Sequence, residues 1–106
     1  MELLFRRKHK TVIILVSGEI DHHTSKELRV QTESALTQLG GRNIIFGFEN
    51  VTFMDSSGIG VIMGRYRLVY LLGGEVWAVH TNERMKKILT MSGVTKIIQI
   101  YEEEEI

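Results

Sequence analysis

Two serines beside an aspartate, Asp55-Ser56-Ser57, form a short polar turn between a predicted strand and a predicted helix. A helix begins with N–H groups that lack partners and with the positive end of the helix dipole, so this position suits an anion such as a phosphate. His22 and His23 form a second cluster of side chains that can do chemistry. Hydrolysis, metal binding, nucleotide binding and protein binding are therefore the functions to compare.

The two serines do not fit the pattern of a hydrolase nucleophile. That pattern places glycine two residues before and two residues after the serine, and neither Ser56 nor Ser57 has glycine at both positions. His22 and His23 would supply a base only if folding brought them to the serines, and no third member of a triad is indicated. Hydrolysis is a weak hypothesis, and we expect no catalytic residue.

Metal and cofactor binding are also poorly indicated. Adjacent histidines project in different directions from a helix or strand, and the chain has no cysteine, so we expect no metal site. The glycines Gly58, Gly60 and Gly64 resemble a dinucleotide fingerprint whose spacing is one residue too long. Glycines here also permit a tight turn and close helix packing. Binding of a small ligand or nucleotide stays as an alternative, and we expect no cofactor.

The composition is that of an ordinary globular protein and disfavours several partners. Thirteen basic residues balance thirteen acidic ones, which gives no electrostatic case for nucleic acid or an anionic membrane. No window approaches the roughly 18 apolar residues of a membrane helix, and the N-terminus does not read as a signal peptide. The lack of cysteine suits a reducing compartment. We expect one cytoplasmic domain spanning residues 1–106.

The hydrophobic pattern predicts five strands and three helices. The predicted strands are Glu2–Arg7, Thr11–Val16, Asn43–Phe48, Glu75–His80 and Lys96–Tyr101. The helices are predicted to start at Thr24, near Ser57 and at Thr81-Asn82. Thr24 with Glu27 matches a capping box. The order β-β-α-β-α-β-α-β predicts an α/β fold, with a mostly parallel five-stranded sheet after an initial hairpin, covered by helices.

The helix after the serines, predicted over Ser57–Leu72, is apolar on two opposite faces at 100° per residue. The face expected against the sheet holds Ile59, Ile62, Met63, Tyr66, Val69 and Tyr70. The opposite face holds Gly60, Val61, Gly64, Leu68, Leu71 and Leu72, with Arg65 and Arg67 at its borders. Because glycines let a partner's backbone come close, we predict that this second face docks another protein. A helix that is buried on both faces is the alternative.

Two segments carry a family resemblance. Phe53-Met-Asp-Ser-Ser-Gly-Ile-Gly-Val-Ile-Met-Gly-Arg-Tyr66 and Gly18-Glu-Ile-Asp-His-His-Thr24 closely resemble the anti-sigma factor antagonist family. Met91-Ser-Gly-Val94 and Lys96-Ile-Ile98 continue the match, so the resemblance covers nearly the whole chain. It is nearest to the sporulation branch of that family, with the general-stress branch as the alternative. It implies the STAS fold, whose order of elements is the one predicted above.

The resemblance implies a phosphorylation switch rather than an enzyme. Ser56 would be phosphorylated by the anti-sigma factor, which is a serine kinase that binds ATP or ADP. The unphosphorylated form would bind that kinase and release the sigma factor, and a PP2C-type phosphatase would reverse the modification. Asp21 carries over as a kinase contact. The remaining docking residues implied are Asp55, Ser56, Ser57, Gly58, Ile59, Gly60, Gly64 and Arg65.

Overall fold

The computed structural model describes residues 1–101, and the acidic run Glu102 to Glu105 lies outside this range. Five strands and three helices follow one another in the predicted order. The strands are β1 (Glu2–Lys8), β2 (Thr11–Ile20), β3 (Asn43–Met54), β4 (Val76–Val79) and β5 (Gln99–Tyr101). The helices are α1 (Ser25–Leu39), α2 (Ser56–Leu71) and α3 (Glu83–Met91). None of these helices is both long and apolar enough to cross a membrane.

The strands form a single sheet in the order β1-β2-β3-β4-β5. β1 and β2 are antiparallel and joined by a tight turn, where His9 takes a left-handed conformation with φ 56°. All later neighbours in the sheet are parallel. The predicted hairpin and the mostly parallel sheet are both confirmed.

One hydrophobic cluster joins all three helices to one face of the sheet. The sheet contributes alternate residues, namely Val12, Ile14, Val16, Ile44, Phe46, Phe48, Val76 and Ala78. The helices contribute Leu28, Ala35, Leu36, Val61, Ile62, Val69, Met85 and Leu89. Because parallel strands in chain order are connected by right-handed crossovers, each helix returns across the same face of the sheet. The starts of α1 and α2 consequently lie side by side above one edge.

β2 and β3 run further than predicted. Gly18 to Ile20, which lie beyond the predicted strand end at Val16, continue β2, with two irregularities in its pairing to β3. Gly18 has φ 93°, which glycine adopts easily. The extension pairs Ile20 with Met54, so both strands end at the same level. The loops that follow the two strands therefore start next to each other.

The last strand is shorter than predicted. Gly93, with φ 83°, follows α3, and Val94–Lys96 then form a 3₁₀ turn before β5 begins at Gln99. Val94 is buried in the core, which holds this segment in a turn against the helices. The predicted strand start at Lys96 is therefore wrong by three residues, 99 against 96.

Candidate functional site

The loop containing Asp21 and the turn containing Asp55 meet at the carboxyl edge of the sheet. The Asp55 N–H donates to the Ile20 carbonyl at 3.1 Å, directly before Asp21. Sites in open α/β sheets commonly form at this edge, outside the carboxyl ends of the strands. The fold thus brings together the two acidic residues that the sequence singled out.

Asp55 caps helix α2, and the two serines that follow it differ in their exposure. Its Oδ1 accepts from the Ser57 N–H at 2.8 Å, and its carbonyl accepts from the Gly58 N–H at 3.1 Å. α2 therefore begins at Ser56. The Ser56 side chain is exposed and makes no hydrogen bond within residues 1–101, whereas Ser57 is half-buried. Of the two serines, Ser56 is the more exposed.

Asp21 organises the start of helix α1. Its Oδ1 accepts from the N–H groups of His23 at 2.9 Å and Thr24 at 3.0 Å. The Thr24 N–H holds the pKa of the Asp21 carboxyl below its ordinary value, and the His23 N–H adds to the effect. Hydrogen bonds to a carboxylate favour its charged form.

The predicted capping box at Thr24 and Glu27 is wrong. The Thr24 hydroxyl donates to the Glu19 carbonyl at 3.0 Å and accepts from the Asp21 N–H at 2.9 Å, so it points away from the helix. Thr24 makes no side-chain cap bond, and the Glu27 carboxylate instead accepts from Gln31 at 2.8 Å. The Thr24 hydroxyl is engaged with the loop before the helix and therefore does not cap the first N–H groups of α1.

The glycines of α2 have two different environments. A Cβ at Gly58 would lie 2.6 Å from Met54 Cγ and 2.8 Å from Ile20 Cγ2, so the close approach of helix and strands requires glycine. A Cβ at Gly60 or Gly64 would meet no atom within 4 Å. Glycine inside a helix costs about 0.5–1 kcal/mol relative to alanine. The packing of the described residues does not explain why Gly60 and Gly64 are there.

Helix α2 is rotated by about a quarter turn from its predicted orientation, at 100° per residue. Met63 and Tyr70, predicted to face the sheet, are 38% and 65% exposed, while Val61 is buried. The helix has apolar residues on every side, so spacing alone does not choose a face. The exposed side, called here the α2 stripe, consists of Ser56, Gly60, Met63, Arg67, Tyr70 and Leu71.

Arg65 lies inside the protein and not on the predicted docking face. It is 7% exposed, its Nη1 donates to the Arg29 carbonyl at 2.8 Å, and it lies 3.5 Å from the Glu33 carboxylate. Burial lowers the pKa of the Arg65 guanidinium, and Glu33 opposes that shift. The group stays charged, since arginine does not lose its proton in proteins. Arg65 joins α2 to α1 and is unavailable to a partner.

The histidines lie beside the serine turn. His22 and His23 are exposed, and with Ser57 and Gly60 they line a groove between α1 and α2. Within residues 1–101, no three histidine, aspartate or glutamate side chains come together in a way that would hold a metal ion. The arrangement offers a surface for recognition, with the exposed Ser56 beside it.

This surface lies in a chain that is similar to a known family of proteins along almost its whole length. The STAS domain family matches residues 3–105. The anti-sigma F factor antagonist of Paenibacillus polymyxa is 41% identical over 106 residues, covering 98% of this chain and 91% of the relative.

Two solved structures share the fold. The anti-sigma factor antagonist SpoIIAA in its unphosphorylated form matches with a TM-score of 0.76 and 28% identity, over 98% of this chain and 91% of that one. The Bacillus cell fate determinant SpoIIAA in the phosphorylated form matches with a TM-score of 0.74 and 31% identity, over 98% and 95%. A protein similar to this chain has therefore been seen in both phosphorylation states.

Proposed function

The chain belongs to the STAS domain family and, within it, to the anti-sigma factor antagonists, and on this premise we propose that phosphorylation of Ser56 controls its binding to an anti-sigma factor. The unphosphorylated form binds the anti-sigma factor and releases the sigma factor. That anti-sigma factor is a serine kinase carrying ATP or ADP, and a PP2C-type phosphatase restores the active form. The protein acts in the cytoplasm as a regulatory binding protein. Similarity to an anti-sigma F factor antagonist favours sporulation over general stress.

The position of Ser56 carries this proposal. It is the first residue of α2, it is exposed, and no hydrogen bond within the described residues restrains its hydroxyl. It also begins the α2 stripe, on which Gly60 leaves room for the backbone of a partner. A kinase can reach this hydroxyl, and a phosphate on it would lie at the edge of the docking surface.

The charge of a phosphate is large enough to act as the switch. A phosphoserine carries roughly −1.5 to −2 charges at pH 7. Asp55 is its neighbour in the chain, and the Asp21 loop lies at the same edge of the sheet. Burying that charge unpaired in an interface costs several kcal/mol, on the order of other buried ions. A loss of about 3 kcal/mol already weakens binding by more than a hundredfold.

The test uses the anti-sigma factor kinase of the same organism. The protein is incubated with the kinase and ATP, and the added phosphate is located by mass spectrometry. We expect one phosphate, on Ser56, that is absent from Ser56→Ala and present in Ser57→Ala. Ser56→Asp is expected to bind the kinase about a hundredfold more weakly than the wild type does, by the energies above. Phosphate on Ser57, or no phosphate at all, would contradict the proposal.

A further inference from the structure

A groove runs between the starts of α1 and α2, directly beside the serine turn. Its volume is about 560 Å³. Its lining comes from the loop before α1, the first turns of α1 and the first turns of α2, namely His22, His23, Ser25, Lys26, Arg29, Ser57, Gly60 and Val61. Ser57 and Gly60 place the groove along one flank of the α2 stripe.

The groove is lined by two basic side chains. Lys26 and Arg29 are exposed and form no ion pair within residues 1–101, and no acidic residue lines the groove. Of the acidic residues closest in the chain, Glu33 pairs with Arg65, and Asp21, Glu27 and Asp55 lie outside the lining. The positive ends of the α1 and α2 dipoles add to this field. The groove is thus complementary to an acidic ligand.

We propose that the groove receives an acidic segment of the anti-sigma factor, whose carboxylates contact Lys26 and Arg29. This inference rests on the proposed function, because the groove is continuous with the α2 stripe through Gly60. Complementary charge at an interface steers association and disfavours wrong partners. The groove gives the protein a way to distinguish its own anti-sigma factor from related ones.

An acidic occupant also strengthens the phosphorylation switch. A phosphate on Ser56 lies next to Ser57, which lines the groove. The added negative charge repels the carboxylates of the partner and competes for the same cations. Phosphorylation therefore acts on two neighbouring contacts, the α2 stripe and the groove.

Zero-length cross-linking tests the chemistry of the occupant. A carbodiimide joins a lysine amine to a carboxylate only when the two are in contact. In the complex with the anti-sigma factor, we expect a cross-link from Lys26 to an aspartate or glutamate of the partner. Lys26→Arg should remove this cross-link and keep the affinity, because it keeps the charge. Lys87, which is exposed on α3, is the matched lysine that should stay unlinked.

Charge reversal separates this inference from the proposed function. Lys26→Glu with Arg29→Glu is expected to weaken binding by about tenfold or more, as close charge pairs do, whereas Lys87→Glu binds like the wild type. Circular dichroism verifies that each variant is folded. If the wild type binds, Ser56→Asp releases it and the double reversal binds normally, the groove inference alone is overturned. If the wild type does not bind at all, both the groove inference and the proposed function are overturned.

Discussion

At the scale of the residue, Gly60 lowers the stability of helix α2. The packing of the described chain does not require a glycine at this position. Its missing Cβ faces open space, and the residue is exposed on the α2 stripe. Gly60→Ala is expected to raise the free energy of unfolding by roughly 0.5–1 kcal/mol, because alanine loses less backbone entropy in a helix. The same variant should bind the anti-sigma factor more weakly. Denaturant unfolding and titration calorimetry measure the two effects.

Gly58→Ala is the matched control in the same helix. Its Cβ would lie 2.6 Å from Met54 Cγ, so we expect this variant to lose about 1–3 kcal/mol of stability, as overpacked cores do. The opposite signs at the two glycines follow from their surroundings and not from helix propensity. A Gly60→Ala variant that is destabilised, or that binds as tightly as the wild type, would contradict the role given to the α2 stripe.

At the scale of the element, Asn82 ties α3 to the end segment of β3. Its Oδ1 accepts from the Met85 N–H at 2.8 Å, and its Nδ2 donates to the carbonyls of Val51 at 2.9 Å and Glu49 at 3.2 Å. Asn82→Ala should cost about 2 kcal/mol, roughly the sum of a helix cap and one part-buried hydrogen bond. Urea unfolding measures the loss.

The Oδ1 acceptor and the Nδ2 donor of the Asn82 side chain can be tested separately. Asn82→Asp keeps an oxygen that accepts from Met85 but replaces the amide that donates to Val51 and Glu49. Its stability is expected to lie between those of the wild type and Asn82→Ala. Equal stability of all three proteins would show that this side chain does not hold α3 against β3.

The elements that local patterns determine were predictable from the sequence. Alternating apolar residues and glycine stops gave the order of the strands and helices, and right-handed crossovers then gave the parallel sheet. The Asp55-Ser56-Ser57 turn was predictable for the same reason, since an aspartate before an apolar run is typical of a helix start. The structure agrees at each of these points.

Features decided by contacts between distant segments were not predictable. Which face of α2 meets the sheet depends on the fit of Gly58 against Met54 and Ile20, and many residues separate Gly58 from Ile20. Arg65 looks like a surface residue in the sequence, yet its acceptor is the Arg29 carbonyl of another helix. The one signal for its burial is helical spacing, because Arg65 lies four residues from the buried Val69. That signal has meaning only once the buried face is known.

At the scale of the whole molecule, the topology brings together the two segments of the candidate site, which follow β2 and β3 and are far apart in the sequence. β2 and β3 are parallel neighbours and end together at Ile20 and Met54, so the residues that follow them meet at one edge. All three helices lie on one face, which places the starts of α1 and α2 beside each other above that edge. The position of the proposed docking surface therefore follows from the sheet order, and we expect its stability to depend on Asp21 and Asp55, which precede the two helices.

The response of the molecule to acid tests the part that Asp21 plays in this arrangement. The pKa of Asp21 is lower in the folded state, chiefly because the Thr24 N–H donates to its carboxylate. Its contribution to folding is therefore complete above the unfolded pKa of about 3.9 and is lost as the pH falls through the folded value. We expect Asp21→Asn to be less stable than the wild type above about pH 5, with the difference vanishing in more acidic solution. Urea unfolding from pH 3 to pH 7 measures it, with Ser56→Ala as a control that should follow the wild-type curve. Parallel curves for Asp21→Asn and the wild type would mean that the charge of Asp21 does not stabilise the start of α1.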